Sequence, residues 1–134
     1  MREFTFNRDT KETKISIKIN LDGSGVNKID TGIAFFDHML QQISTHSLVD
    51  LEIKCDGDLK VDMHHTVEDV GIALGESIKN ALGDKKGITR FGYSYVSFDE
   101  TLTRSVIDLC NRPYFIWNVK TSLEKVGEMD QELF

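Results

Sequence analysis

An α+β fold is predicted, and three observations predict it. Several short segments alternate apolar and polar residues and are separated by tight-turn signals, as half-buried antiparallel strands are. Two longer segments repeat apolar residues at helical spacing instead. A strand pattern near the N-terminus also recurs 88 residues later, where Glu12-Thr13 and Ile19-Asn20-Leu21 are echoed by Glu100-Thr101 and Ile107-Asp108-Leu109. Runs of antiparallel strands with a few helices on one face are the α+β arrangement.

The elements follow in order. Residues 14–21 place Ile15, Ile17, Ile19 and Leu21 on one face of a strand, and Asp22-Gly23-Ser24-Gly25 turns the chain. Phe35, Phe36, Met39, Leu40 and Ile43 form a helical stripe. Val49, Leu51, Ile53 and Cys55 alternate again, Asp56-Gly57-Asp58 reads as a turn, and Leu59 and Val61 are expected to continue a second strand. A helix then buries Val67, Val70, Leu74, Ile78 and Ala81 and stops at Gly83. Further strands are expected around residues 91–98, 102–109 and 114–119. The 88-residue echo predicts a duplication: residues 1–86 as a complete half, and 87–134 as the opening part of a second half that is incomplete here.

Composition narrows the function. A chain of 134 residues is one domain's worth of core. A formal net charge of −6 lacks the basic excess that neutralises phosphate backbones, so nucleic acid is not an expected partner. Neither is a membrane, because no apolar run approaches spanning length and Met1-Arg2-Glu3 does not open a signal peptide. Cys55 and Cys110, both at expected strand positions, read as reduced buried thiols of a cytoplasmic protein.

The stretch that carries chemistry is Asp62-Met63-His64-His65-Thr66-Val67-Glu68-Asp69, which opens the second helix. At about 100° per residue, His64, His65 and Glu68 share one arc, and Glu68 lies within reach of both rings. Two diverging imidazoles that each pair with one carboxylate suit a two-ion cluster better than a closed structural site. The helix N-terminus disfavours imidazolium and so favours the neutral ring a cation needs. Nitrogen and carboxylate donors without thiolate admit manganese, iron or zinc. Of the other histidines, His38 points away from the apolar stripe and is a ligand candidate. His46 falls on the stripe's edge and is expected to be packed. Arg90 and Arg112, near strand ends, have the planar fork that grips phosphate, though a lone arginine is more often simply solvated.

These residues resemble the imidazoleglycerol-phosphate dehydratase family. The resemblance runs through Lys11-Glu12-Thr13, Gly32-Ile33-Ala34-Phe35-Phe36-Asp37-His38-Met39-Leu40, Gly57-Asp58-Leu59 and His64-His65-Thr66-Val67-Glu68-Asp69. It continues in Lys86-Gly87-Ile88-Thr89-Arg90-Phe91-Gly92, Asp99-Glu100-Thr101-Leu102 and Asp108-Leu109-Cys110-Asn111-Arg112-Pro113-Tyr114. It implies duplicated half-domains, each a four-stranded sheet with helices on one face, of the ribosomal protein S5 domain 2-like type. It also implies homo-oligomeric shells with sites between subunits, and two Mn2+ per site.

Carried over by position, His38, His64, His65 and Glu68 are the expected metal ligands. Glu12, Arg90 and Arg112 are the expected substrate contacts, the arginines on the phosphate side, with Glu12 and Glu68 as the catalytic carboxylates. Two departures stand out: Asp62-Met63 where the family has Asp-Asp, and Cys110-Asn111 where it has Ser-Gly. The implied reaction is dehydration of imidazole glycerol phosphate to imidazole acetol phosphate, in histidine biosynthesis. Because a second donor set is expected beyond the residues present, the chain alone is expected to be weak or inactive. Two alternatives remain open: a non-catalytic shortened scaffold, and a two-metal hydrolase using the same donors.

Overall fold

The computed structural model describes residues 1–120 and 124–134. Four strands form one sheet: β1 (Glu3–Asp9), β2 (Thr13–Asn20), β3 (Asn27–Asp30) and β4 (Asp50–Gly57), in spatial order β1-β2-β4-β3. β1–β2 and β2–β4 are antiparallel, whereas β3 runs parallel to β4. A parallel pair needs a crossover, and α1 (Ala34–Ser47) supplies it between β3 and β4. The second helix, α2 (His64–Leu82), follows β4 and lies against β1 and β2.

The alternation in β2 and β4 decides which sheet face is covered. Ile15, Ile17 and Ile19 pair across the ladder with Cys55, Ile53 and Leu51, and all six are buried. Leu40 of α1 and Val70, Ala73 and Ala81 of α2 pack on that face. Complete burial of Ile17 and near-complete burial of Ile53 each contribute roughly 1.5–3 kcal/mol. The opposite face keeps its charges in water, with Lys18 Nζ 3.1 Å from Glu52 on the neighbouring strand. The α+β arrangement is thus present, with both helices on one side.

A second compact unit comprises described residues 85–120, while 124–134 belongs with the first. In the second unit, β5 (Phe91–Phe98) and β6 (Thr101–Asp108) form a hairpin closed by Asp99, at φ 48°, and Glu100. Its pairing repeats that of β1–β2 at an offset of 88 residues, residue for residue. Glu3 faces Asn20 as Phe91 faces Asp108, and Asp9 faces Lys14 as Ser97 faces Leu102. Even the closing bonds correspond: Leu21 N–H donates to Arg2 C=O at 2.9 Å, and Leu109 N–H to Arg90 C=O at 3.1 Å. In the tail, β7 (Lys125–Val126) pairs with β8 (Met129–Asp130) ahead of a 3₁₀ turn, Gln131–Leu133. The Phe134 ring meets Phe35 edge-on at 6.0 Å.

Several expectations need correction. Leu59 and Val61 form no strand; they are exposed in a turn where Val61 N–H donates to Asp58 C=O at 2.7 Å. Residues 114–119 are exposed and unpaired in any ladder, because apolar alternation makes no strand without a neighbour to bond. The buried line of α1 runs through Leu40 and Ser44, four residues apart, leaving Ile43 52% exposed. His46 is therefore exposed, its Nε2 3.1 Å from Gln42 Oε1, and is not a packed residue. Cys110 lies just beyond β6 and is only half-buried, whereas Cys55 is buried in β4 and desolvation pushes its thiol up to about 11.

Candidate metal centre

Both histidines of the motif sit on the first turn of α2, and the turn is built from its carboxylates. Asp62 Oδ1 accepts the His64 backbone N–H at 2.8 Å, satisfying a donor that the helix start would leave open. One turn further on, buried Asp69 reaches the sheet: its carboxylate accepts from the Thr13 hydroxyl at 2.5 Å and from Arg8 Nη2 at 2.9 Å. The chain before the helix is pinned as well, since Asp58 N–H donates to Glu12 C=O at 3.0 Å.

The two imidazoles are held differently. Carboxylates only accept, so the ring nitrogen facing each one carries the proton. His64 presents Nε2 to Glu68 Oε2 at 3.0 Å, a helical i,i+4 pair on the exposed surface. His65 presents Nδ1 to Asp58 Oδ2 at 2.9 Å, which leaves Nε2 as its open nitrogen. The rings are 4.8 Å apart and tilted by 36°. The Asp58 hydrogen bond holds the His65 pKa above the usual imidazole value, and the Asp58, Glu12 and Asp62 charges add to it against a smaller desolvation effect. The helix-terminus argument for a neutral ring is thus outweighed at His65 by these nearby carboxylates. A raised pKa means that a cation competes with a proton for this ring.

In kind, the donors fit a divalent cation: two imidazoles and a carboxylate on one turn, one ring oriented by a second carboxylate as metal-binding histidines usually are. In number they do not complete a site. Among the described residues, no three His, Cys, Asp or Glu side chains converge as a ready-made metal centre. His38 is exposed on α1, and the structure does not gather it with the other donors.

Glu12 is exposed in the turn between β1 and β2, beside a depression of about 220 Å³ lined in part by Thr10, Asp56, Gly57 and Asp58. Larger depressions lie over strand residues such as Phe4, Lys18 and Glu52 and include none of the candidate residues. In the second unit, Arg90 is committed to Asp108 through two bonds, Nε at 2.6 Å and Nη2 at 3.0 Å. That pairing raises the pKa of Arg90 and lowers that of Asp108. Arg112 is exposed beside Cys110, whose pKa it lowers through its backbone and side-chain donors. Asn111 occupies the left-handed region at φ 59°, which asparagine tolerates where the family resemblance placed glycine. Sequence reasoning missed the parts played by Asp58, Asp62 and Asp69. Asp-Gly-Asp was read only as a turn signal, although a carboxylate seven residues before a histidine at a helix start was available as a partner.

A four-stranded sheet with two helices on one face, and a histidine–carboxylate turn at the head of one of them, defines an α+β half-domain. Residues 31–134 match the family model described as imidazoleglycerol-phosphate dehydratase. The chain is 55% identical over 126 residues to the imidazoleglycerol-phosphate dehydratase of Sinorhizobium fredii, covering 94% of this chain and 62% of that protein. It is 52% identical over 133 residues to the Neisseria gonorrhoeae enzyme of the same name, covering 99% of this chain and 44% of that one. The solved Staphylococcus aureus imidazoleglycerol-phosphate dehydratase superposes with a TM-score of 0.83 at 37% identity, over 98% of this chain and 71% of that chain. The Pyrococcus furiosus protein, solved in complex with (S)-C348, gives 0.68 at 34% identity over 92% and 64%. The chain belongs to the imidazoleglycerol-phosphate dehydratase family. It spans 62% and 44% of the lengths of the two relatives by sequence.

Proposed function

We propose that this chain contributes to a manganese-dependent lyase that dehydrates imidazole glycerol phosphate to imidazole acetol phosphate in histidine biosynthesis. The observation that carries the proposal is the start of α2, where the His64 and His65 rings lie 4.8 Å apart, Glu68 faces His64, and Asp58 leaves His65 Nε2 open. Bound Mn2+ would supply Lewis acidity toward the substrate's ring nitrogens and hydroxyl. His64, His65 and Glu68 are the residues that would hold it, joined by His38.

The remaining work falls to this chain's own side chains. The Glu12 carboxylate, held in its turn by the Asp58 backbone, moves a proton or orients the group that does. Arg90 and Arg112 grip the phosphate, Arg90 exchanging the Asp108 carboxylate for the phosphate oxygens. Phosphate binding remote from the reacting carbon then contributes to turnover as well as to affinity. The protein acts as a cytoplasmic homo-oligomer, with further donors coming from a second copy or from additional chain.

A second reading, a scaffold that folds but does not turn over, is favoured by one observation: no three donors converge among the described residues. Substrate incubated with the 134-residue chain and manganese separates the readings. Manganese-dependent loss of water without phosphate release supports the lyase. Weak turnover is expected of the lyase. Phosphate release therefore identifies a hydrolase, and bound manganese with no detectable loss of water, even on long incubation with the chain in excess over substrate, identifies the scaffold.

A further inference from the structure

The two histidines of the α2 turn are not equivalent, and the difference lies outside the helix. His64 is paired with a residue of its own helix, Glu68, whose side chain is 58% exposed. His65 is paired with Asp58, seven residues upstream, in the turn that leaves β4. Asp58 is fixed at three points. Its N–H donates to Glu12 C=O at 3.0 Å, its C=O accepts from Val61 N–H at 2.7 Å, and its Oδ2 faces His65 Nδ1 at 2.9 Å. The other carboxylate oxygen, Oδ1, is buried with no hydrogen-bond partner among the described residues. A buried acceptor left without a donor is a cost to folding, so stability alone does not account for a carboxylate at this point.

We propose that Asp58 is a positioning residue: it holds the His65 ring as the Nδ1–H tautomer, turns the Nε2 lone pair outward toward a divalent cation, and ties that ring to the Glu12 turn. The inference rests on the metal-binding reading of the α2 turn and extends it to a residue that touches neither cation nor substrate. Its physical basis is general. A neutral imidazole has one donor and one acceptor nitrogen, and the partner of the donor decides which nitrogen remains to bind. A carboxylate partner also raises the basicity of the free nitrogen and removes ring rotation that binding would otherwise have to freeze out. Through its backbone, Asp58 further makes the position of Glu12 depend on the segment that orients the ring, with no side-chain contact between the two required.

Two readouts on the intact chain test this. Nitrogen-15 correlation spectra of the metal-free protein, taken at alkaline pH where the rings are neutral, report the tautomer of each histidine. Manganese titration followed by electron paramagnetic resonance reports affinity. In the unsubstituted chain His65 should be the Nδ1–H tautomer. Asp58→Ala should shift it toward the Nε2–H form and weaken manganese binding about 10–100-fold, with the His38 and His46 signals and helix content unchanged. Asp58→Asn keeps an acceptor oxygen without the charge, so it should retain the tautomer and recover part of the affinity; it also serves if the alanine variant folds poorly. The same His65 tautomer in Asp58→Ala as in the unsubstituted chain, or equal manganese affinity in the two, overturns the proposal. If the unsubstituted chain binds no manganese while the tautomer still shifts, the metal reading itself is refuted, and Asp58's role toward a cation falls with it.

Discussion

The Thr13 hydroxyl donates to the Asp69 carboxylate at 2.5 Å, joining the start of β2 to the second turn of α2. Both residues are buried, and Arg8 Nη2 binds the other carboxylate oxygen at 2.9 Å. Each partner is the neighbour of a candidate site residue: Thr13 follows Glu12, and Asp69 follows Glu68. The bond therefore sets the helix against the sheet at the end where the chemistry is proposed. Asp69→Ala leaves the buried Thr13 hydroxyl with Thr10 Oγ1, at 3.2 Å, as its remaining partner and strips a half-buried guanidinium of its carboxylate. It should lower stability by about 2–3 kcal/mol, with Thr13→Val costing about 1 kcal/mol. Urea unfolding of the two variants checks the order. A loss below about 0.5 kcal/mol for Asp69→Ala would show that the tie does not hold the helix in place.

Gly57 ends β4 directly beneath Thr66. A methyl group placed on Gly57 would overlap the Thr66 hydroxyl oxygen, which is buried and has no hydrogen-bond partner among the described residues. Gly57→Ala should cost about 1–3 kcal/mol as overpacking. Thr66→Ala removes the obstructing oxygen and an unsatisfied polar atom together, so the double variant should be more stable than Gly57→Ala alone. A double-mutant cycle by thermal unfolding measures the coupling; strictly additive effects would mean that the clash is relieved elsewhere.

Acid should loosen the start of the chain. Arg2 bonds Asp22 through Nε at 3.0 Å and through its backbone N–H at 2.9 Å, and these bonds, the side-chain one foremost, hold the Asp22 carboxyl down at about 2. A pKa lowered on folding contributes stability that is complete above the ordinary value of 3.8 and is lost as pH falls through about 2. The pair is solvent-exposed, so the effect on overall stability is small. Carbon-13 titration of the Asp22 carboxyl should give a midpoint near the lowered value, and Arg2→Ala should return it toward 3.8. An unchanged midpoint in that variant would remove Arg2 as the cause.

The β5–β6 hairpin exposes Phe91, Tyr93, Tyr95, Phe98, Leu102 and Val106. A two-stranded hairpin with neither face covered is marginal in water. Its amides should exchange with solvent far faster than those of β2 and β4, whose apolar face lies under the helices. Hydrogen exchange read by mass spectrometry compares them directly. Equal protection would mean that the hairpin is covered in solution.

Much of this was legible in the sequence, for definable reasons. β2 and β4 were readable because Ile15, Ile17 and Ile19, and likewise Leu51, Ile53 and Cys55, alternate with charged or polar residues on a half-buried sheet. The start of α2 was readable because His64, His65 and Glu68 fall at helical spacing behind Asp62. β1 and β3 escaped notice because both lie at sheet edges and bury only part of their apolar side chains, Phe4 and Phe6 in one and Ile29 in the other. The α1 stripe was centred wrongly because Phe35 and Ile43 outnumber by bulk the true inward residues, one of which is the small polar Ser44, whose hydroxyl donates to Val49 C=O at 2.7 Å. Asp58 stands in the sequence as one of several carboxylates near His65, and only the turn that brings it back to the helix, a tertiary feature with no periodicity, selects it as the partner.

Manganese titration of three chains tests the central claim most directly: the unsubstituted protein, His65→Ala and His46→Ala. Electron paramagnetic resonance of free Mn2+ should show binding by the unsubstituted chain, retained in His46→Ala, whose ring is exposed and bonded only to Gln42 among the described residues, and weakened at least tenfold in His65→Ala. Equal binding by all three, or none by any, would contradict the assignment of the α2 turn as the metal-holding element.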